Sequence, residues 1–140
     1  MSRLSLHALI TAFSSEILVD LLVHHVVVAI FAGDLLVAGM SQDAIREVLK
    51  TIAGTTPYLP VMFTCGSITT VAGAWLAARL AKRVPYYHGL AMGIIGVVFC
   101  LFFWSAEATW LDYLGLLTTI PLSLFGAHLA RKHMLELEIL

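Results

Sequence analysis

Residues 14–34, SSEILVDLLVHHVVVAIFAGD, form an almost unbroken apolar run that carries Glu16, Asp20, His24 and His25 within it. About 20 mostly apolar residues cross a bilayer as a helix, so this run is long enough to span with its four polar groups inside. The rest of the chain has the same character. Of its 140 residues 60% are hydrophobic and 12% charged, and mean hydropathy is +0.94. A soluble domain has about 25% charged residues and roughly 45–50% apolar ones, so both an ordinary soluble fold and a disordered chain are excluded. The expectation is an all-α, polytopic membrane protein: one transmembrane domain over residues 1–140, built as a bundle of four spans with a short amphipathic surface helix.

Working outward, the first apolar region runs from Leu4 to about Met40 and admits two frames. One is a long tilted helix over 5–32; the other is a span over 17–39 behind an interfacial segment. Ala32-Gly33-Asp34 reads as an exit and favours the first. Arg3, the apolar stretch to Phe13 and Ser14-Ser15 resemble a cleaved leader, but the apolar run that follows directly makes them the first turns of a retained helix. Over 42–53, Ile45, Val48, Leu49 and Ile52 share one face opposite Asp43, Arg46, Glu47 and Lys50, which predicts an amphipathic helix lying on the membrane surface. The second span, 58–82, opens with Pro57 and Pro60 at its first turn. The third, 87–105, is almost wholly apolar, with Trp104 and Trp110 bracketing the next turn. The fourth, 111–130, contains Pro121, which predicts a kink, and ends in Arg131-Lys132-His133 before a short tail.

With four spans, Arg3, Arg79, Lys82, Arg83, Arg131 and Lys132 share one side. Arg46 and Lys50 lie on the other with Asp34, Asp43, Glu47, Glu107 and Asp112. The bias of basic residues predicts that both termini are cytoplasmic. Net charge of −1 argues against nucleic acid as a partner. Cys65 and Cys100 sit in apolar runs and form no expected disulfide. Gly73-Ala-Trp-Leu-Ala-Ala-Arg79 is echoed by Gly126-Ala-His-Leu-Ala-Arg131, as two tandem helical hairpins would give.

The run from Gly73 to Lys82, Gly-x-x-x-Ala-Ala-Arg-x-Ala-Lys, followed by Pro85 and His88-Gly89-x-x-x-Gly93, resembles small four-span bacterial inner-membrane proteins of unassigned function. The resemblance covers the middle third of the chain. It implies a bacterial plasma membrane and the four-span topology, and it implies no activity.

Glu16, Asp20 and His24 are spaced four and four, so they form one stripe of a single helix, with His25 about 100° away. An ionisable group within a span costs at least ~2.5 kcal/mol on insertion scales, so such a stripe faces a bundle interior, a cavity or a partner. One reading is a polar seam that bonds to Ser67, Thr69, Thr70, Thr118 or Thr119, or to a partner subunit. Another is a proton or cation path. A metal site lacks ligands from any other span. His88 and His128 lie at similar depth and are the candidates for axial haem ligands, although no cofactor is expected. Gly66, Thr70, Gly73 and Ala77 line one face of the second span, and Gly89, Gly93 and Gly96 one face of the third. Such faces predict that these two spans pack closely as an antiparallel hairpin. No nucleophile elbow, phosphate loop, HExxH or paired CxxC occurs, so an enzyme is not expected. The expected function is a small membrane subunit or scaffold that assembles with itself or with another membrane protein through the first-span stripe. The alternative is a proton- or cation-coupled transporter or channel subunit using Glu16, Asp20 and His24.

Overall fold

A computed structural model describes residues 4–82, 84–103 and 109–138, with side chains to residue 136. It is all-helical, with five helices: α1 Leu6–Ala32, α2 Gln42–Thr55, α3 Tyr58–Ala81, α4 Pro85–Phe102 and α5 Trp110–Glu138. All but α2 are long and apolar enough to cross a membrane, so the chain is a multi-pass membrane protein. Trp104 and Glu107, the end of the expected third span, and Arg3 and Arg83 lie outside the described residues.

Local chemistry sets the boundaries. Ser5 caps α1 by accepting a hydrogen bond from the Ala8 N–H, and the helix stops at Gly33, in the first of the two frames. Ser41 caps α2 through the Ala44 N–H. Pro85 occupies the first position of α4, where its missing N–H is harmless. Before it, Lys82 and Val84 take left-handed backbone angles, φ 55° and 46°, a costly conformation for β-branched Val84. Thr109 caps α5, and Asp112 bonds back to the Thr109 N–H and hydroxyl, the acidic half of a capping box. The α5 helix continues through Pro121 and past the expected end at 130. Residues 131–136, Arg-Lys-His-Met-Leu-Glu, contain no Gly or Pro to stop it.

The four long helices alternate in direction, so α1 and α3 are antiparallel, as are α4 and α5, while α3 and α5 run parallel. The α3–α5 contact is the most extensive, followed by α4–α5 and α1–α3. This departs from the expected α3–α4 hairpin built on two glycine faces. A Cβ on Gly89 would strike Ala127 and the Ser123 carbonyl, one on Gly93 would press on Ile120, and one on Gly96 would meet Thr119. The small face of α4 thus serves α5. Gly73 of α3 instead gives way to the carboxylate of Glu16 on α1, and a Cβ on Gly66 would meet nothing. Gly126 lets α5 touch the Val71 carbonyl and Trp75 N–H of α3. The two echoed segments therefore pack on each other, with Ala78, Ala127 and Ala130 forming one buried cluster.

The amphipathic α2 is tied to the bundle by Ile52, buried with Val27, Ala32 and Tyr58, while Val48 and Leu49 pack at the edge of that cluster. Its charged face stays exposed, and Arg46 and Asp43 pair loosely at 3.8 Å.

Candidate functional site

The first-span stripe divides along its length. Glu16 and Asp20 turn toward α3; His24 and His25 do not. The Glu16 carboxylate lies beside Thr70, where any larger residue than Gly73 would displace it. Asp20 Oδ1 accepts from the Thr69 hydroxyl at 2.5 Å, and the same hydroxyl lies 2.9 Å from the Gly66 carbonyl. Thr69 is buried. Two carboxylates one helical turn apart thus meet two consecutive threonines, a match possible because antiparallel helices keep register over adjacent turns. His24 is exposed at the bundle surface, with its ring 6.0 Å from that of His25. His25 is also exposed, its Nδ1 2.7 Å from the Leu21 carbonyl of its own helix.

Asp20 also lines an open-sided cavity of about 510 Å³ bordered by α1, α3, α4 and α5. Its walls include Phe63, Phe99, Phe103 and several leucines, with Ser67, Thr70, Thr118, Thr119, Cys100 and Asp112 as polar groups. The cavity occupies the half of the bundle at the α2 end, where α3 and α5 begin and α4 finishes. There Phe, Met and Leu predominate among the facing residues, with Gly66 and Gly115 the small ones in the lining, so the backbones stand apart. A shallower hollow, lined by Ile17, Asp20, His24 and Phe99, adjoins it on the α1 side.

The other half is closed. Ala12, Ala74, Ala77, Ala78 and Ala127 are fully buried, and Ala8 and His88 almost so. His88 Nε2 accepts from the Ser5 N–H at 2.9 Å, and its Nδ1 donates to the Val84 carbonyl at 3.2 Å. Both ring nitrogens of His88 are hydrogen-bonded, and it is the Nε2 lone pair, shared with the Ser5 N–H, that an axial iron would need. His128 Nδ1 is 2.8 Å from the Tyr86 hydroxyl. At the same end Arg79 lies over Trp75 and Arg131 over Tyr86, as aromatic and basic anchors do at headgroup depth. Among the described residues no three His, Cys, Asp or Glu side chains cluster to hold a metal ion.

Asp112 and Cys100 were legible in sequence only as a loop acid and a packing residue. Their place on the cavity wall depends on how α4 and α5 cross, for which a single chain carries no signal. The pairing of Glu16 and Asp20 with Thr70 and Thr69 did leave one, in hydroxyls and carboxylates placed on neighbouring turns of two spans.

Comparison with protein-family models, curated proteins and solved structures finds no match to this chain.

Proposed function

We propose that the protein is a proton- or cation-coupled transporter or channel subunit in which Asp20, backed by Glu16, supplies the negative charge of a site inside the bundle. The observation that carries this reading is Asp20 itself: an acidic residue midway along a span, fixed by Thr69 and lining a cavity of about 510 Å³. Ionisable residues are retained at such depth for ion and substrate pathways, because a merely structural contact there is made more cheaply by Ser or Thr. The same carboxylates weigh against assembly through Glu16 and Asp20, since each has a hydroxyl of its own chain beside it. The test is flux. In proteoliposomes containing a pH-sensitive dye, the wild type is expected to dissipate an imposed cation or proton gradient, and Asp20→Asn to abolish this while eluting as a folded protein. Equal flux from both would overturn the reading.

Assembly with a second copy or another membrane protein is favoured by a different observation, the exposure of His24 and His25 on α1. A polar ring in contact with lipid is costly, and a partner helix with a hydrogen-bonding group would relieve it. If this reading holds, His24→Leu lowers the oligomeric state in native nanodiscs and leaves the Asp20-dependent flux of whatever remains assembled.

The resemblance of residues 73–93 to small bacterial inner-membrane proteins supports a bacterial plasma membrane. Arg79, Lys82, Arg131 and Lys132 at one end of the bundle support cytoplasmic termini. The cavity would then face the outer half of the bilayer.

A further inference from the structure

We infer that the cavity binds an organic cation with an apolar body, an ammonium-type group seated on Asp20 and its hydrocarbon portion among the phenylalanines; this rests on the reading of Asp20 as the charge of a transport site. Its size falls within the range of about 300–1,000 Å³ usual for small-molecule sites. The polarity of the lining identifies the ligand more narrowly. Asp20 and Asp112 contribute acidic groups, and among the described residues no Lys, Arg or His lines the space, His24 lining only the adjoining hollow. The hydroxyls add acceptors rather than donors. Ser67 gives its single proton to the Phe63 carbonyl, Thr118 to Leu114 and Thr119 to Gly115, each at 2.8 Å, so the oxygens have only lone pairs left to offer. Asp20 Oδ2 takes no hydrogen bond among the described residues. A cavity with two carboxylates, hydroxyls that largely offer lone pairs and only weak or single donors such as the Cys100 thiol matches a ligand that brings donors or positive charge, and gives an anion no cationic partner.

A bare metal ion fits less well than an organic one. It wants several oxygens converging within coordination distance, and among the described residues the acidic groups do not cluster so. The space is far larger than an ion, and Phe63, Phe99 and Phe103 line it, aromatic groups of the kind that attract a diffuse cation and bury an apolar body. Asp112 is already bound to Thr109, which leaves Asp20 as the anchoring charge and Asp112 as a more distant contributor.

The experiment titrates the full chain in lipid nanodiscs with benzyltrimethylammonium, with benzenesulfonate as the anion of similar size and sodium chloride as the bare cation. Saturable binding of benzyltrimethylammonium alone is expected, weakened at least about ten-fold by Asp20→Asn and also by Leu122→Trp, which fills the cavity without changing its charge. Asp20→Asn retains an acceptor for Thr69, and elution as a folded protein checks that the bundle survives. A Cys65→Ser background supplies a second readout, in which bound benzyltrimethylammonium slows alkylation of Cys100. Binding that ignores both variants, or equal binding of benzenesulfonate, overturns the proposal. Asp20-dependent flux of sodium or protons without any binding of the organic cation overturns it too, while the transport reading stands. Asp20-dependent binding without flux supports the ligand class and removes the transport reading.

Discussion

The two ends of this bundle are built from the same four helices and pack by opposite rules. Toward the termini, alanines and glycines let backbones touch, and His88, buried there, has both ring nitrogens bonded. Toward α2, phenylalanines and leucines hold the helices apart around a carboxylate and a set of hydroxyls. In lipid the hydrophobic effect does not pull helices together, so close packing at one end has to stabilise the whole bundle. That leaves the other end free to stay open, and the comparison teaches that stability and ligand binding are assigned to separate halves.

The strongest test of that division sets two glycines of α5 against each other. At Gly126 even a methyl group would collide with the Val71 carbonyl, whereas a Cβ at Gly115 would meet nothing within 4 Å. Gly126→Leu is therefore expected to cost about 3 kcal/mol or to prevent accumulation of folded protein, and Gly115→Leu to leave thermal stability nearly unchanged while narrowing the cavity. Thermal unfolding followed by size-exclusion in detergent reads both. Equal losses would mean that the open half also holds the bundle together.

A smaller difference separates the histidines. His88→Ala strands the buried Ser5 N–H and removes a packed ring, which should destabilise by about 2 kcal/mol. The exposed His24→Ala should change the monomer's unfolding by less than about 0.5 kcal/mol. The order of the two melting shifts decides the matter.

Much of this architecture is legible in the chain. Apolar run lengths locate the spans, Ser5 and Ser41 mark helix starts, and the Ile45 to Ile52 face marks the surface helix. What periodicity does not contain is which small face meets which. Gly73 and Gly89 look alike in sequence, yet one admits the side chain of Glu16 and the other the α5 backbone. The same gap hid the cavity, since Phe63, Phe99 and Leu122 become one wall only after the helices cross. His88 and His128 invited a haem reading because depth is readable from sequence and hydrogen-bond partners are not.

Another small expected effect on stability is the most telling for function. In Asp20→Leu, the Thr69 hydroxyl still has the Gly66 carbonyl 2.9 Å away, so no buried donor is stranded. Stability in nanodiscs should change by less than about 1 kcal/mol, while benzyltrimethylammonium binding and cation flux disappear. A large loss of stability would assign Asp20 to the scaffold rather than to the cavity.

The hydrogen bond from Ser5 to His88 spans 83 positions of the chain. During synthesis α1 enters the bilayer long before residue 88 leaves the ribosome, so the cap of the first helix waits for its acceptor while α2 and α3 are made. Completion of the closed half is thereby tied to arrival of the second hairpin. A chain interrupted before α4 would hold α1 through α3 alone, with the Ser5 N–H still without its His88 acceptor.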